Sequence, residues 1–361
     1  MITPFTHVFP AIRGIQAGRE YYVTMCPLGL LSRLFIFDEA DLDPELRAQR
    51  TLNRGRLPDL VRYITTNNQS YVFSAITASV DADVQFEPSA EGAGLMGVLR
   101  IPMRARFIIN DGQHRRAAIE VALREHPQLA DETIAVVLFH DKGLARCQQM
   151  FADLNRWAIR PPRSLNVLYD HRDQISGIVR ALVSAIPLFQ VMVETERSTL
   201  SKRSKKLFTL SAIHTATDAL LNAQEGASKE LERIALPYWQ GLISQMPEWE
   251  AVRTGRISAG DVRNEFLHSH GVVLHALGRV GATLLERQSV DWSMCLSGLR
   301  EIDWRRANPM WEARATLGGR VSKSYQTVLL TTNLIKAKLN LPLTNEEQRL
   351  EDAHMRGHHA V

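Results

Sequence analysis

Only three cysteines occur in 361 residues, Cys26, Cys147 and Cys295, and their spacing fits no metal site. So few cysteines point to a reducing compartment and exclude a disulfide framework. Long apolar runs are missing too. No window approaches the ~20 residues that span a bilayer, and residues 1–15 lack the apolar core of a signal peptide. A cytoplasmic protein with no membrane partner is therefore expected. Catalytic signatures are equally scarce: there is no Walker-type phosphate loop, no His-Glu-x-x-His and no Gly-x-Ser-x-Gly. Internal repeats, low-complexity segments and zinc-finger spacing are absent as well. His354, His358 and His359, close together near the end, read as part of a polar tail, and no metal is expected.

What is present is an ordinary globular composition, 45% hydrophobic and 23% charged, with a net charge of +4. The charge is unevenly placed. Residues 1–150 hold 16 Lys+Arg against 17 Asp+Glu, so the basic surplus belongs to the second half. Hydrophobic patterning divides the chain in the same way. Before Pro161-Pro162, strand-like runs (Glu20–Met25, Tyr71–Val80, Val98–Pro102, Arg106–Ile109, Thr133–His140) alternate with helical ones (Cys26–Phe37, Pro44–Thr51, Leu57–Asn67, Lys142–Trp157). After it, apolar residues recur at helical spacing through 164–185, 208–224, 228–245, 262–287, 290–301 and 324–340. The fold class expected is α+β: a mixed domain over 1–158, a mainly helical basic domain over 159–345, and a polar tail over 346–361.

The most informative stretch runs from Arg106 to Arg124, a strand, a tight turn and a helix. Asp111 is placed to cap the helix, and Gly112 permits an unusual backbone angle at the turn. His114, Arg115 and Arg116 then fall in or near the first helical turn, where cations oppose the helix dipole. Helix N-termini bind anions, so this breach of a local rule suggests a phosphate-like partner. Arg116 also suits an ordinary i,i+4 pair with Glu120. Cys26, before an expected helix, is a candidate redox or regulatory thiol if the helix end lowers its pKa; a buried structural cysteine is the simpler reading.

Two basic clusters mark the second half. Arg156 to Lys206 holds ten Lys+Arg against four Asp+Glu, densest at Lys202, Arg203, Lys205 and Lys206. Arg300 to Lys338 holds eight against three, including Arg320, Lys323 and Lys336, among Ser and Thr residues. Each cluster alone suits a solvated helix face. Together they suit duplex DNA, where Lys and Arg supply salt-dependent affinity and hydroxyls fix register. Thr209–Ala223 has the length of a recognition helix, though the turn before it is not diagnostic.

Asp111-Gly112-Gln113-His114-Arg115 spells the motif that names the DGQHR family, which resembles a branch of the ParB/sulfiredoxin fold. The resemblance implies a nucleotide-phosphate turn at Asp111, Gly112, Gln113, His114 and Arg115. Asp153-Leu-Asn-Arg156 with Pro161-Pro162 is similar to a second ParB-like box, which adds Asn155 and Arg156 to that site. Ala152 stands where ParB-like CTPases carry glutamate, so the resemblance implies nucleotide as a cofactor without implying hydrolysis. Phe151-Ala-Asp-Leu-Asn155, Ser164-Leu-Asn-Val-Leu-Tyr-Asp170, Lys206-Leu-Phe-Thr-Leu-Ser211, Asn308-Pro-Met-Trp311 and Leu341-Pro-Leu-Thr344 occur in the order of the DndB family, over nearly the full length. That family belongs to the bacterial system that places phosphorothioate sulfur in DNA.

The resemblance implies a nucleoid-associated repressor of the modification operon rather than the sulfur-transfer catalyst. Its expected partners are the promoter duplex, other proteins of the modification system and further copies of itself, since a symmetric operator calls for a dimer. Two readings stand beside it: a nucleotide-dependent switch or NTPase acting on DNA, and an adaptor of the modification enzymes. No activated nucleophile or general base is identifiable, so an enzyme is the less expected outcome.

Overall fold

A computed structural model describes residues 5–35, 54–90, 93–156, 160–287 and 290–358. The chain divides into two compact units, Met1–Ile159 and Arg160–Val361. The first is mixed α and β; the second is mainly helical.

The first unit is built on a seven-stranded sheet. Its strands are β1 (Thr6–Gln16), β2 (Arg19–Pro27), β3 (Ile76–Asp81), β4 (Gln85–Pro88), β5 (Met96–Pro102), β6 (Arg106–Asp111) and β7 (Thr133–His140), in the spatial order β4-β5-β1-β2-β7-β3-β6. Neighbours run antiparallel except β3 and β7, whose parallel register sets Ile76 opposite Val136 and Val80 opposite His140. β1 was not expected from the sequence, because Pro10 interrupts its alternation. The structure tolerates the proline: β1 pairs with β5 over Thr6–Ile12, but its pairing with β2 begins only at Ala11. Tyr71 to Ala75, expected as the start of a long strand, lies outside β3.

Strand alternation sends Phe9, Tyr22, Cys26, Leu99, Ile101, Phe107 and Ile109 to one face. There they pack against helices α1 (Leu28–Leu34), α2 (Leu57–Thr66) and α3 (Gln113–Glu125), chiefly through Leu31, Ile64, Ala118, Ile119 and Ala122. α4 (Cys147–Arg156) lies on the other face of β6, where Ile108 meets Leu144 and Cys147. The expected helix at Pro44–Thr51 and the end of the one starting at Cys26 lie outside the described residues.

The second unit holds α5 (Arg163–Tyr169), α6 (Gln174–Ala185), α7 (Pro187–Met192), α8 (Leu210–Leu221), α9 (Ser228–Ser244), α10 (Pro247–Arg253), α11 (Ala259–Glu265), α12 (Gly271–Leu285), α13 (Trp292–Cys295), α14 (Tyr325–Lys338) and α15 (Asn345–His358). α8 and α12 form its centre. A Cβ added at Gly278 would lie 2.1 Å from the Ala216 carbonyl oxygen, so only glycine lets these two helices approach so closely. The expected recognition helix is thus a core element. Leu210, Ile213, Ala216, Thr217 and Leu220 are buried on it, which leaves no face broad enough to enter a DNA groove. Around this pair, Phe189, Phe208, Trp239 and Trp249 stack edge to face.

Residues 346–358, expected as a polar tail, continue α15 and are anchored. The Lys336 ammonium donates to Glu347 Oε2 at 2.7 Å, with both residues buried. The Arg314 guanidinium donates to Glu351, whose carboxylate also accepts from Asn333. Helical spacing put Glu347 and Glu351 on one face, and the buried cations explain why that face docks. Among the described residues, no helix is long and apolar enough to cross a membrane, and no cluster of potential ligands could hold a metal.

Candidate nucleic-acid interface

At the end of the edge strand β6, Gly112 adopts φ 107°, outside the range of ordinary L-residues, and starts α3 as its N-cap. Asp111 is therefore not the cap. It is the last residue of β6, opposite Thr77, and its carboxylate accepts from the Arg115 guanidinium at 2.6 Å. Arg115 also donates to the Ser74 carbonyl at 3.0 Å and to the Ser74 hydroxyl. Its fork thus ties the turn to the segment preceding β3. Arg116 pairs with Glu120 at 3.1 Å, the ordinary i,i+4 partner.

Both arginines of the turn are therefore committed within the chain. Gly112, the N-cap of α3, has no side chain with which to cap the helix. The Asp111 carboxylate already supplies negative charge there, which disfavours a second anion. Burial first, then the charge of Arg56, lowers the pKa of His114, against an opposing pull from Asp111. His114 is therefore biased toward the neutral form.

Asn155 and Arg156 close α4 and are exposed. Asn155 donates to the Phe151 carbonyl at 2.8 Å, an intrahelical bond. α4 packs on the Ile108 face of β6 and α3 on the Phe107 face, so the segment ending in Asn155 and Arg156 and the helix after Gly112 occupy opposite sides of one strand.

Cys26 requires a correction. It lies within β2, next to last, rather than at a helix N-terminus, and it is 1% exposed. Burial pushes its thiol up to about 12, the opposite of activation, so it is an inert packing residue.

The basic clusters of the second unit separate into three kinds of residue. Lys336 is buried against Glu347 and cannot meet a phosphate, which corrects its assignment as a DNA contact. Arg320 is exposed on β11 (Arg320–Val321), part of a short hairpin with β10 (Thr316–Leu317). Lys202, Arg203, Lys205 and Lys206 belong to the loop between β8 (Val193–Glu194) and β9 (Phe208–Thr209), two short strands paired in parallel. Lys206 Nζ donates to the Val191 carbonyl at 2.7 Å and so anchors the loop base. Lys202, Arg203 and Lys205 are exposed, and none has a carboxylate partner among the described residues.

What shapes this loop is a residue that sequence reasoning missed. Arg263, on α11, donates to the carbonyl oxygens of Ser201 (2.8 Å), Lys202 (3.3 Å) and Ser204 (3.0 Å), and to that of Lys206. One guanidinium thereby collects four carbonyls on the inner side of the loop, leaving the cationic side chains to project outward. Gly260 fits beneath, since a Cβ there would stand 2.9 Å from the Lys202 oxygen. No local signal in 259–265 marks Arg263, because its partners lie about sixty residues away.

Behind the loop opens a cleft of about 750 Å³. Arg163, Lys202, Arg263, Arg306 and Lys323 line it together with eight Ser and Thr residues, and Asp261 is the sole carboxylate among the lining residues.

A family model described as "DndB: DNA-sulfur modification-associated" matches residues 9–342. The chain belongs to the DndB family. Its family is thus tied to DNA sulfur modification, as the ordered motifs from Phe151 to Thr344 imply. No curated protein and no solved structure matched the chain. The matched span takes in both units, so the turn at Asp111 and the loop at Lys202 lie inside the family region.

Proposed function

We propose that this DndB-family chain is a DNA-binding regulator, a repressor of the operon for DNA phosphorothioation, and that it modulates modification without carrying out sulfur transfer. The observation that carries this reading is the Arg263-held loop, in which Lys202, Arg203 and Lys205 stand exposed with no neutralising carboxylate among the described residues. Fixed backbone and free cationic side chains suit contacts to a phosphate backbone, which position a protein without reading bases. Other proteins of the modification system, and a second copy of this chain on a symmetric operator, are the partners this reading requires.

A gel shift on the operon promoter against random duplex, repeated across a salt series, tests it. Replacing Lys202, Arg203 and Lys205 with Gln should weaken binding to both duplexes. The slope of log K against log salt should shrink by up to ~3, roughly one for each lost phosphate contact. An unchanged slope would remove the loop from the interface.

A further inference from the structure

One part of the cleft lining is separate from that loop. It is formed by the N-terminus of α12, the turn before it and two cations from elsewhere in the second unit. α12 is a fifteen-residue helix whose N-cap, His270, offers it no side-chain bond. The His270 ring instead meets the Arg263 carbonyl, Nε2 to O, at 2.7 Å. The first backbone N–H groups of α12 are thus left with the positive end of the helix dipole at the cleft wall, where Gly271 lies. Lys323 stands over this point: a Cβ on Gly271 would be 3.5 Å from its Nζ.

Arg163 lines the same cleft, and its charge, after burial, depresses the pKa of Lys323. Like charges have been gathered without a counter-ion, for neither residue has a carboxylate partner among the described residues. Beside them Ser269, only 5% exposed, has a hydroxyl with no hydrogen-bond partner. Buried hydroxyls are nearly always bonded, so an orphan in a cationic cleft marks a missing acceptor. Lys323 keeps exposed surface, yet desolvation is the first cause of its lowered pKa.

We propose that the cleft is a binding site for a phosphate-bearing group of mononucleotide size, held by Arg163, Lys323, the Ser269 hydroxyl and the N-terminus of α12. Helix N-termini paired with cations are standard phosphate receptors. A volume of about 750 Å³ lies in the range of small-ligand sites, whereas a duplex is far too wide to enter. The hydroxyls of Thr209, Ser211 and Thr215 in the lining are bonded within the protein, so the cleft wall on their side is already formed. This site is separate from the Asp111 turn and does not depend on the rim loop binding DNA. The phosphate can come from a free nucleotide or from the end of a nucleic-acid strand.

Titration calorimetry on the full chain tests the assignment, with inorganic phosphate, the four ribonucleoside 5′-monophosphates and a 5′-phosphorylated tetranucleotide as probes. Saturable one-to-one binding of at least one probe is expected, weakened tenfold or more in Lys323→Met and in Arg163→Gln. Ser269→Ala should weaken it less, and the rim variant Arg203→Gln/Lys205→Gln should leave it intact while losing duplex affinity. Binding of the tetranucleotide alone would identify a strand end as the source; binding of monophosphates would identify a free ligand. No saturable heat from any probe up to about 10 mM, the weak limit of specific recognition, would overturn the proposal. So would binding that survives both Lys323→Met and Arg163→Gln. Matching melting curves establish that the variants fold, as expected for side chains with no hydrogen bond to the protein among the described residues.

Discussion

The turn at Asp111–Arg115 and the cleft at Arg163–Lys323 both set cations near a helix N-terminus, yet they differ in what those cations face. At the turn, Arg115 is met by Asp111 and Ser74, and Arg116 by Glu120. In the cleft, Arg163 and Lys323 face each other and an orphan hydroxyl. The first arrangement is complete without a ligand; the second is not. Basic residues in a sequence therefore indicate binding only after their internal partners have been counted.

The largest expected effect breaks a cation that has its partner. Lys336→Ala leaves the Glu347 carboxylate buried without its ammonium, and loss of one member of a buried pair costs about 3–5 kcal/mol. Chemical denaturation should show that loss for the second unit. Stability within 1 kcal/mol of the parent, an order-of-magnitude margin, would place the pair in a wetter setting than its burial suggests.

Arg115→Ala should come next. It removes a charge-assisted bond to Asp111 and two bonds to Ser74, and a loss of about 2 kcal/mol is expected in the first unit. Arg115→Lys should recover little, because an ammonium cannot reproduce the fork. Full recovery by lysine would make the charge, not the geometry, the working feature.

A smaller effect follows from pH. Burial first, then Lys323, Arg279 and Arg163, lowers the His275 pKa to about 4, against ~6.5 in the unfolded chain. Between those values the unfolded chain binds more protons, so stability is full above ~6.5 and declines as pH falls toward 4. Burial lowers the pKa of His268 in the same direction, outweighing the opposite pull of Glu248. Melting temperature should fall between pH 7 and pH 5, and less steeply in His275→Gln. Identical slopes in parent and variant would show that His275 titrates normally.

The smallest expected change is Lys323→Met, and its sign is the informative part. Removing a cation that faces Arg163 without a carboxylate should leave stability unchanged or slightly raised. A clear loss would mean that Lys323 has a structural partner, and the contrast between turn and cleft would collapse.

Much of the architecture was legible from local pattern. Thr133–His140 forms a strand over the residues its apolar run indicates, and Ser228–Ser244 and Tyr325–Lys338 follow their helical spacing. Local pattern failed where a residue's role depended on a distant partner. Lys336 looked like its neighbours in a basic cluster until Glu347 met it eleven residues later. Asp111 had the chemistry of a cap, but β6 runs through it and Arg115 takes its carboxylate. Cys26 stood before an expected helix, but sheet pairing with Ile134 buries it.

By itself the sequence determined a mixed unit followed by a helical one, the strand–turn–helix at Gly112 and the family to which the motifs point. Those features depend on side-chain periodicity and backbone preference, which neighbours along the chain establish. Tertiary structure decided which cations remain open. Arg263 gathers carbonyls from Ser201 to Lys206, and Arg163 and Lys323 converge on the start of α12 across 160 residues of chain. Charge compensation is a matter of distance in space, and no pattern along the chain records it.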